Sequence, residues 1–162
     1  MDFAFSEEQE FLRSTAREWL GAKAPSETVR ALMETESGYD EALWKEIADL
    51  GWQAMAIPEA HGGAGFGFLE LAVLLEEMGR SLFPAPFLST VVMAATAIQR
   101  GGDDDQKSEL LAAIAAGELV ATVAMPAGAG PFGPEDVDVV ASDGTLSGAA
   151  RFVLDGASAA VV

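Results

Sequence analysis

Cysteine is absent from the 162 residues, which excludes disulfides, thiolate metal sites and a cysteine nucleophile together. Histidine occurs once, as His61, too little for a histidine-based metal site or a Ser-His-Asp triad. Positive charge is scarce: 9 Lys and Arg stand against 26 Asp and Glu, a formal net charge of -17. Such a chain repels phosphate, so neither nucleic acid nor an anionic membrane surface is an expected partner. An anionic ligand has to be met by backbone N–H groups, helix N-termini or a partner's basic residues. No run approaches transmembrane length, and the opening Met1-Asp-Phe-Ala-Phe-Ser-Glu-Glu8 has neither the basic stretch nor the apolar core of an export signal. A cytoplasmic chain without membrane insertion is expected.

Half of the residues are hydrophobic, enough to build a core. Ser6-Glu-Glu-Gln9 has capping-box spacing and predicts a helix in which Leu12, Ala16, Trp19 and Leu20 share a face until Gly21 and Pro25. A short second helix is expected within 27–36. Asp40 predicts the cap of a third, with Leu43, Trp44, Ile47 and Leu50 on its apolar face and Gly51 at its end. Residues 58–67 carry four glycines and read as a loop. Phe68, Leu71, Ala72, Leu75 and Met78 restore the helical period up to Gly79, and Pro84 and Pro86 break it. A further helix, apolar on most sides and therefore central, is predicted from Phe87 to Gln99, and another behind the acidic triplet Asp103-Asp-Asp105, read as a cap.

From Glu118 the texture changes. Leu119 to Met125 reads as a buried strand, Val137 to Ala141 alternates, and Ser142-Asp-Gly-Thr145 has hairpin-turn chemistry. Return strands are expected at 145–147 and 150–153. Ala159 to Val162 begins another, so the chain reads as ending inside a strand. So few strands leave an open edge that needs cover, and a homo- or hetero-oligomer is expected.

The common catalytic patterns do not emerge. The glycines from Gly62 to Gly67 lack the preceding strand and the lysine of a phosphate loop, and Gly128-Ala-Gly130 leads into Pro131 rather than a helix. Glu7-Glu8 and Glu76-Glu77 read as solvated helix faces, His61 as a side chain bonding its own loop, and Trp19, Trp44 and Trp52 as core.

Taken in order, Phe5-Ser-Glu-Glu-Gln9, Trp44 to Trp52, Ile57-Pro-Glu-Ala-His-Gly-Gly-Ala-Gly65, Leu75-Glu-Glu-Met-Gly-Arg80, Phe83-Pro-Ala-Pro86 and Ala115-Ala-Gly-Glu118 resemble the acyl-CoA dehydrogenase family over essentially the whole chain. The resemblance implies a mainly α fold: a helical N-terminal domain, 1–117, followed by a partial antiparallel β-domain, 118–162, with the family's C-terminal helical domain absent from this sequence. It implies FAD as cofactor, an acyl-CoA thioester oxidised at Cα–Cβ, and an electron-transfer flavoprotein as electron acceptor. The carboxylate base of the family belongs to the third domain, so no catalytic residue is assigned here.

The family's first flavin segment, aromatic-x-x-Thr-Glu-Pro, matches Ala121-Thr-Val-Ala-Met-Pro126, and its Trp-Ile-Thr segment matches Phe152-Val-Leu154. The resemblance thus marks Val123, Ala124, Met125, Phe152 and Leu154 as cofactor-binding, with Ala124 and Leu154 standing where hydroxyl residues are usual. Backbone donors at Val123 and Met125 and a ring cover from Phe152 remain. It also marks Val91, Ala94 and Ala95, on the helix from Phe87, as lining the acyl group, the small alanines leaving room for a bulky one. Three readings follow: the front part of an acyl-CoA dehydrogenase, a non-catalytic subunit of a heteromeric one, or a helical adaptor that has lost the flavin.

Overall fold

A computed structural model describes residues 4–125 and 137–162. The reading of Gly128 to Pro131 lies outside them. The order is α1 (Glu7–Lys23), α2 (Ser26–Leu32), α3 (Glu41–Asp49), a 3-10 turn (Glu59–His61), α4 (Phe68–Ser81), a π-helix (Leu88–Ala94), α5 (Ala95–Gly101), α6 (Asp104–Ala115), β1 (Val140–Ser142) and β2 (Thr145–Ser147). The fold is mainly α with a small antiparallel sheet in which Val140 faces Ser147 and Ser142 faces Thr145.

Local chemistry sets most helix ends. Ser6 and Asp103 close reciprocal capping boxes with Gln9 and Gln106, each satisfying two otherwise orphaned N–H groups. Asp40 accepts from the N–H groups of Ala42 and Leu43. At Gly67 only half a box forms: Glu70 Oε2 accepts the Gly67 N–H at 3.1 Å. Gly51 and Gly117 take left-handed φ values of 78° and 70° just beyond α3 and α6, the conformation that favours glycine.

Two helix ends differ from expectation. Gly21 lies inside α1, and Gly79 inside α4, which runs on until Leu82 adopts φ 52°. The predicted helix from Phe87 is two elements, a π-helix continued by α5. Its run Thr90-Val91-Val92 is β-branched, the side-chain class that crowds an α-helical turn most, and the backbone here takes the wider i→i+5 pattern.

The core gathers Leu20, Ile47, Ile57, Leu71, Leu74, Leu111 and Ile114, none of them exposed. The tryptophans are core residues, as predicted: Trp19 meets Trp52 and Phe83 edge-on at 5.4 and 5.7 Å, and Trp44 meets Phe87 at 6.5 Å. α1 and α4 are joined by polar rungs as well. Gln9 bonds Glu70 at 2.8 Å, Arg13 bonds Glu76 at 3.0 Å, and Arg17 grips Glu77 through two nitrogens at 2.6 and 3.0 Å. The solvated-face reading of Glu76-Glu77 therefore holds for Glu76 and fails for Glu77, whose side chain is fully buried. Helical spacing makes adjacent residues face different ways, and Glu77 turns inward between Arg17 and Arg80.

The glycine loop is tightly organised. Ala64, Gly65 and Phe66 donate backbone hydrogen bonds to Ala54, Ile57 and Met55 at 2.9 Å. The bond expected of His61 is missing: its Nδ1 is enclosed with no partner among the described residues.

Candidate functional site

Past α6 the chain returns to the π-helix, and three hydroxyls fasten it there. The segment predicted as a strand from residue 119 is reduced to a parallel bridge, Ala121 to Val161, with Thr122 N–H donating to Val161 at 3.0 Å and Ala160 N–H to Val120 at 2.9 Å. On its other side the partner is a side chain. Thr90 Oγ1 donates to the Ala121 carbonyl at 2.8 Å and accepts the Ala121 N–H at 3.1 Å, so one buried hydroxyl does what a neighbouring strand does. This explains why the sequence signature of a strand yields so little sheet.

Thr122 Oγ1 donates to the Leu154 carbonyl at 2.7 Å. Ser89, also fully buried, donates to Asp155 Oδ2 at 2.5 Å. Segments 121–125 and 152–155 thereby converge on one face of the π-helix. The strand predicted at 150–153 is not formed; instead Phe152 and Asp155 take left-handed φ values of 55° and 51°. Sequence reasoning missed Ser89, Thr90, Thr122 and Asp155. The signal was the pair Ser89-Thr90 in an otherwise apolar helix, since buried hydroxyls need partners.

Replacing Thr90 with the near-isosteric valine strips Ala121 of both bonds and leaves its N–H and carbonyl buried without partners. The expected loss is about 2 to 3 kcal/mol, read as a lower urea midpoint with unchanged slope. An unaltered midpoint would show that water or backbone shifts replace the hydroxyl.

The cofactor and acyl residues marked by resemblance are divided. Ala94, Val123 and Ala124 share the wall of a cavity of about 590 Å³, together with Ile98, Leu146 and Val161. Val91 and Ala95 belong to the core behind that wall. Met125, Phe152 and Leu154 stand outside it and are exposed by 48%, 72% and 48%, large apolar side chains left open on both segments. Around Asp155 the environment is acidic. The Tyr39 phenol is pushed up from its ordinary value, first by burial and then by the carboxylates of Glu41 and Asp155, and stays protonated at neutral pH.

A dinucleotide-type flavin fits these residues in part. The N–H groups of Val123, Ala124 and Met125 donate to nothing among the described residues, so backbone donors are available to a polar ring edge, and Phe152 offers an open ring face. Ala124 and Leu154 offer no side-chain hydrogen bond. Among the described residues no group of three or more His, Asp and Glu is placed to hold a metal, and no helix is long and apolar enough to cross a membrane.

Comparison with known proteins places these features in context. Residues 6–118 match the model of the acyl-CoA dehydrogenase N-terminal domain. Acyl-CoA dehydrogenase IpdE2 of Mycolicibacterium smegmatis is 40% identical over 119 residues, which are 73% of this chain and 37% of that protein. A structure of a Tcur3481-Tcur3483 steroid ACAD variant superimposes with a TM-score of 0.85 at 38% identity, covering 96% of this chain and 44% of its own. The ChsE4-ChsE5 complex from Mycobacterium tuberculosis gives 0.74 at 32% identity, covering 81% and 36%. The chain spans little more than a third of the curated relative it matches.

Proposed function

Because this chain belongs to the acyl-CoA dehydrogenase family, matching its N-terminal domain over residues 6–118, we propose that it forms the helical domain and the first part of the β-domain of an FAD-dependent enzyme that oxidises an acyl-CoA thioester at Cα–Cβ. In this reading the helical domain occupies 1–117 and the β-domain begins at 118. The observation that carries it is the hydroxyl-fastened convergence of segments 121–125 and 152–155 on the π-helix, one segment with open backbone donors and the other with an exposed aromatic ring.

Val123, Ala124 and Met125 would hold the flavin through backbone N–H groups, with Phe152 and Leu154 covering it. FAD supplies a hydride acceptor there when bound. Ala94 on the cavity wall leaves space for a bulky acyl group, with Val91 and Ala95 backing it, and the likeness to a steroid enzyme supports a large alicyclic acyl thioester as substrate. The proton is taken by a carboxylate outside these 162 residues, and an electron-transfer flavoprotein accepts the electrons.

A second reading is favoured by Ala124 and Leu154. Two side chains that withhold a hydrogen bond from a buried polar ring cost about 1 to 3 kcal/mol each if their partners stay unpaired. That suits a subunit which shares its flavin with a different polypeptide, and the ChsE4-ChsE5 likeness fits the arrangement.

Intact mass and absorption spectrum of the protein from its native source test both. Flavin absorption that bleaches anaerobically on adding an acyl-CoA supports the first reading when a single chain type is present, and the second when two are. Protein that never carries flavin, alone or in its complex, refutes both and leaves the adaptor.

A further inference from the structure

We propose that Ser89 and Asp155 form a clasp through which the helical domain positions the flavin-facing turn, with Asp155 as a positioning residue; this rests on the flavoprotein reading above. The residues come from far apart in sequence, yet the Ser89 hydroxyl lies 2.5 Å from Asp155 Oδ2 and 3.1 Å from the Pro86 carbonyl. A hydroxyl has one proton to give. The shorter contact, to a charged acceptor, takes it, since hydrogen bonds to a carboxylate are shorter and stronger than those to a neutral carbonyl.

The π-helix supplies both fastening hydroxyls. Ser89 and Thr90 lie in its first turn, where the Thr90 N–H still donates to the Pro86 carbonyl at 3.1 Å. Consecutive residues Ser89 and Thr90, both fully buried, each hold a returning segment: Thr90 fastens Ala121 and Ser89 fastens Asp155.

Asp155 in turn orders what surrounds it. Its carbonyl accepts the N–H groups of Ser158 and Ala159 at 3.0 Å, and its left-handed φ of 51° is one that Asp tolerates better than most residues. Leu154 next to it is held by Thr122. The turn is thus gripped at two adjacent residues, one from the π-helix and one from the 121–125 segment, and Phe152 is presented outward from it. None of these residues need touch substrate. Their effect reaches the reaction through the placement of Phe152 and Leu154.

The test uses the active oligomer carrying Ser89→Ala or Asp155→Asn. Alanine suits the π-helix and removes only the clasp's donor; asparagine keeps an acceptor oxygen and the tolerance for the left-handed backbone. Two readouts are taken: flavin dissociation, and hydrogen exchange at the Gly156, Ser158 and Ala159 amides. Expected for Ser89→Ala is flavin binding weakened about tenfold to a hundredfold, with faster exchange at those amides, while exchange in α1 and α4 is unchanged. Asp155→Asn should retain most of the wild-type binding. Yellow wild-type protein beside a Ser89→Ala variant that holds flavin equally tightly overturns the clasp's positioning role alone. A wild-type protein that never holds flavin overturns the flavoprotein reading and this role with it, and the exchange data then still report whether the turn is clasped.

Discussion

Glu77→Ala is expected to destabilise the protein by about 3 kcal/mol or more, the range found when one partner of a buried ion pair is removed. The Glu77 side chain is fully enclosed and receives Arg17 at 2.6 and 3.0 Å and Arg80 at 2.8 Å. Both arginines are about half exposed, so water recovers part of their solvation and keeps the loss from being larger. Glu77→Gln preserves the shape and can still accept from an arginine; a smaller loss is expected.

The same carboxylate gives a pH signature. Its pKa is held down to about 2, first by the Arg17 hydrogen bonds, against the opposing effect of burial, and then by Arg80. In the unfolded chain it returns to the ordinary value of about 4.5. The unfolded state therefore binds more protons between these values, and stability falls as pH drops through that window. The contribution is complete above about pH 5 and amounts to roughly 3 kcal/mol. Urea melts of wild type and Glu77→Gln at pH 7 and pH 3 isolate it by difference, because Glu70, held down first by its Gln9 hydrogen bond, adds to the wild-type dependence. A Glu77→Gln protein that keeps the full wild-type acid dependence in that window would assign it to other carboxylates.

Gly63→Ala is the second large effect, for steric reasons. A Cβ at this position would lie 1.9 Å from the Ile57 carbonyl oxygen and 2.3 Å from its carbon. The obstacle is backbone, and that stretch of backbone is itself engaged, since the same carbonyl accepts the Gly65 N–H at 2.9 Å. Relief requires the loop to open, at about 3 kcal/mol or more. Gly21→Ala is the matched control: it lies inside α1 with nothing within 4 Å of its Cβ direction, and should stabilise by about 0.5 to 1 kcal/mol. Thermal melts of the two variants moving in the same direction would contradict this account.

Much of the helical domain could be read from the sequence because its ends are set locally. Ser6, Asp40 and Asp103 act on N–H groups two or three residues away, and Asp143-Gly144 turns its hairpin with φ values of 51° and 73°, the pairing an Asp-Gly turn favours. What could not be read depends on residues distant in sequence. Glu77 is buried because Arg17 arrives from sixty residues earlier. The segment after Leu119 lacks a full sheet because Thr90 stands in for a strand. For the site, Ala94, Val123 and Ala124 line the cavity; the pair Ser89-Thr90 stands out as polar in an apolar helix, but the partners of the hydroxyls, Asp155, Ala121 and Leu154, lie 31 to 66 residues away from them.

The tryptophan arrangement has a practical bearing on how the molecule is observed. The chain's three tryptophans are Trp19, Trp44 and Trp52; Trp44 and Trp52 are buried in the helical core, Trp19 packs half-buried against it, and none lies beyond residue 118. Their emission reports mainly the melting of that core, and β1 and β2 carry no tryptophan of their own. A fluorescence transition that lags one followed by peptide absorbance would therefore place the first opening event outside the tryptophan-bearing helices α1 and α3.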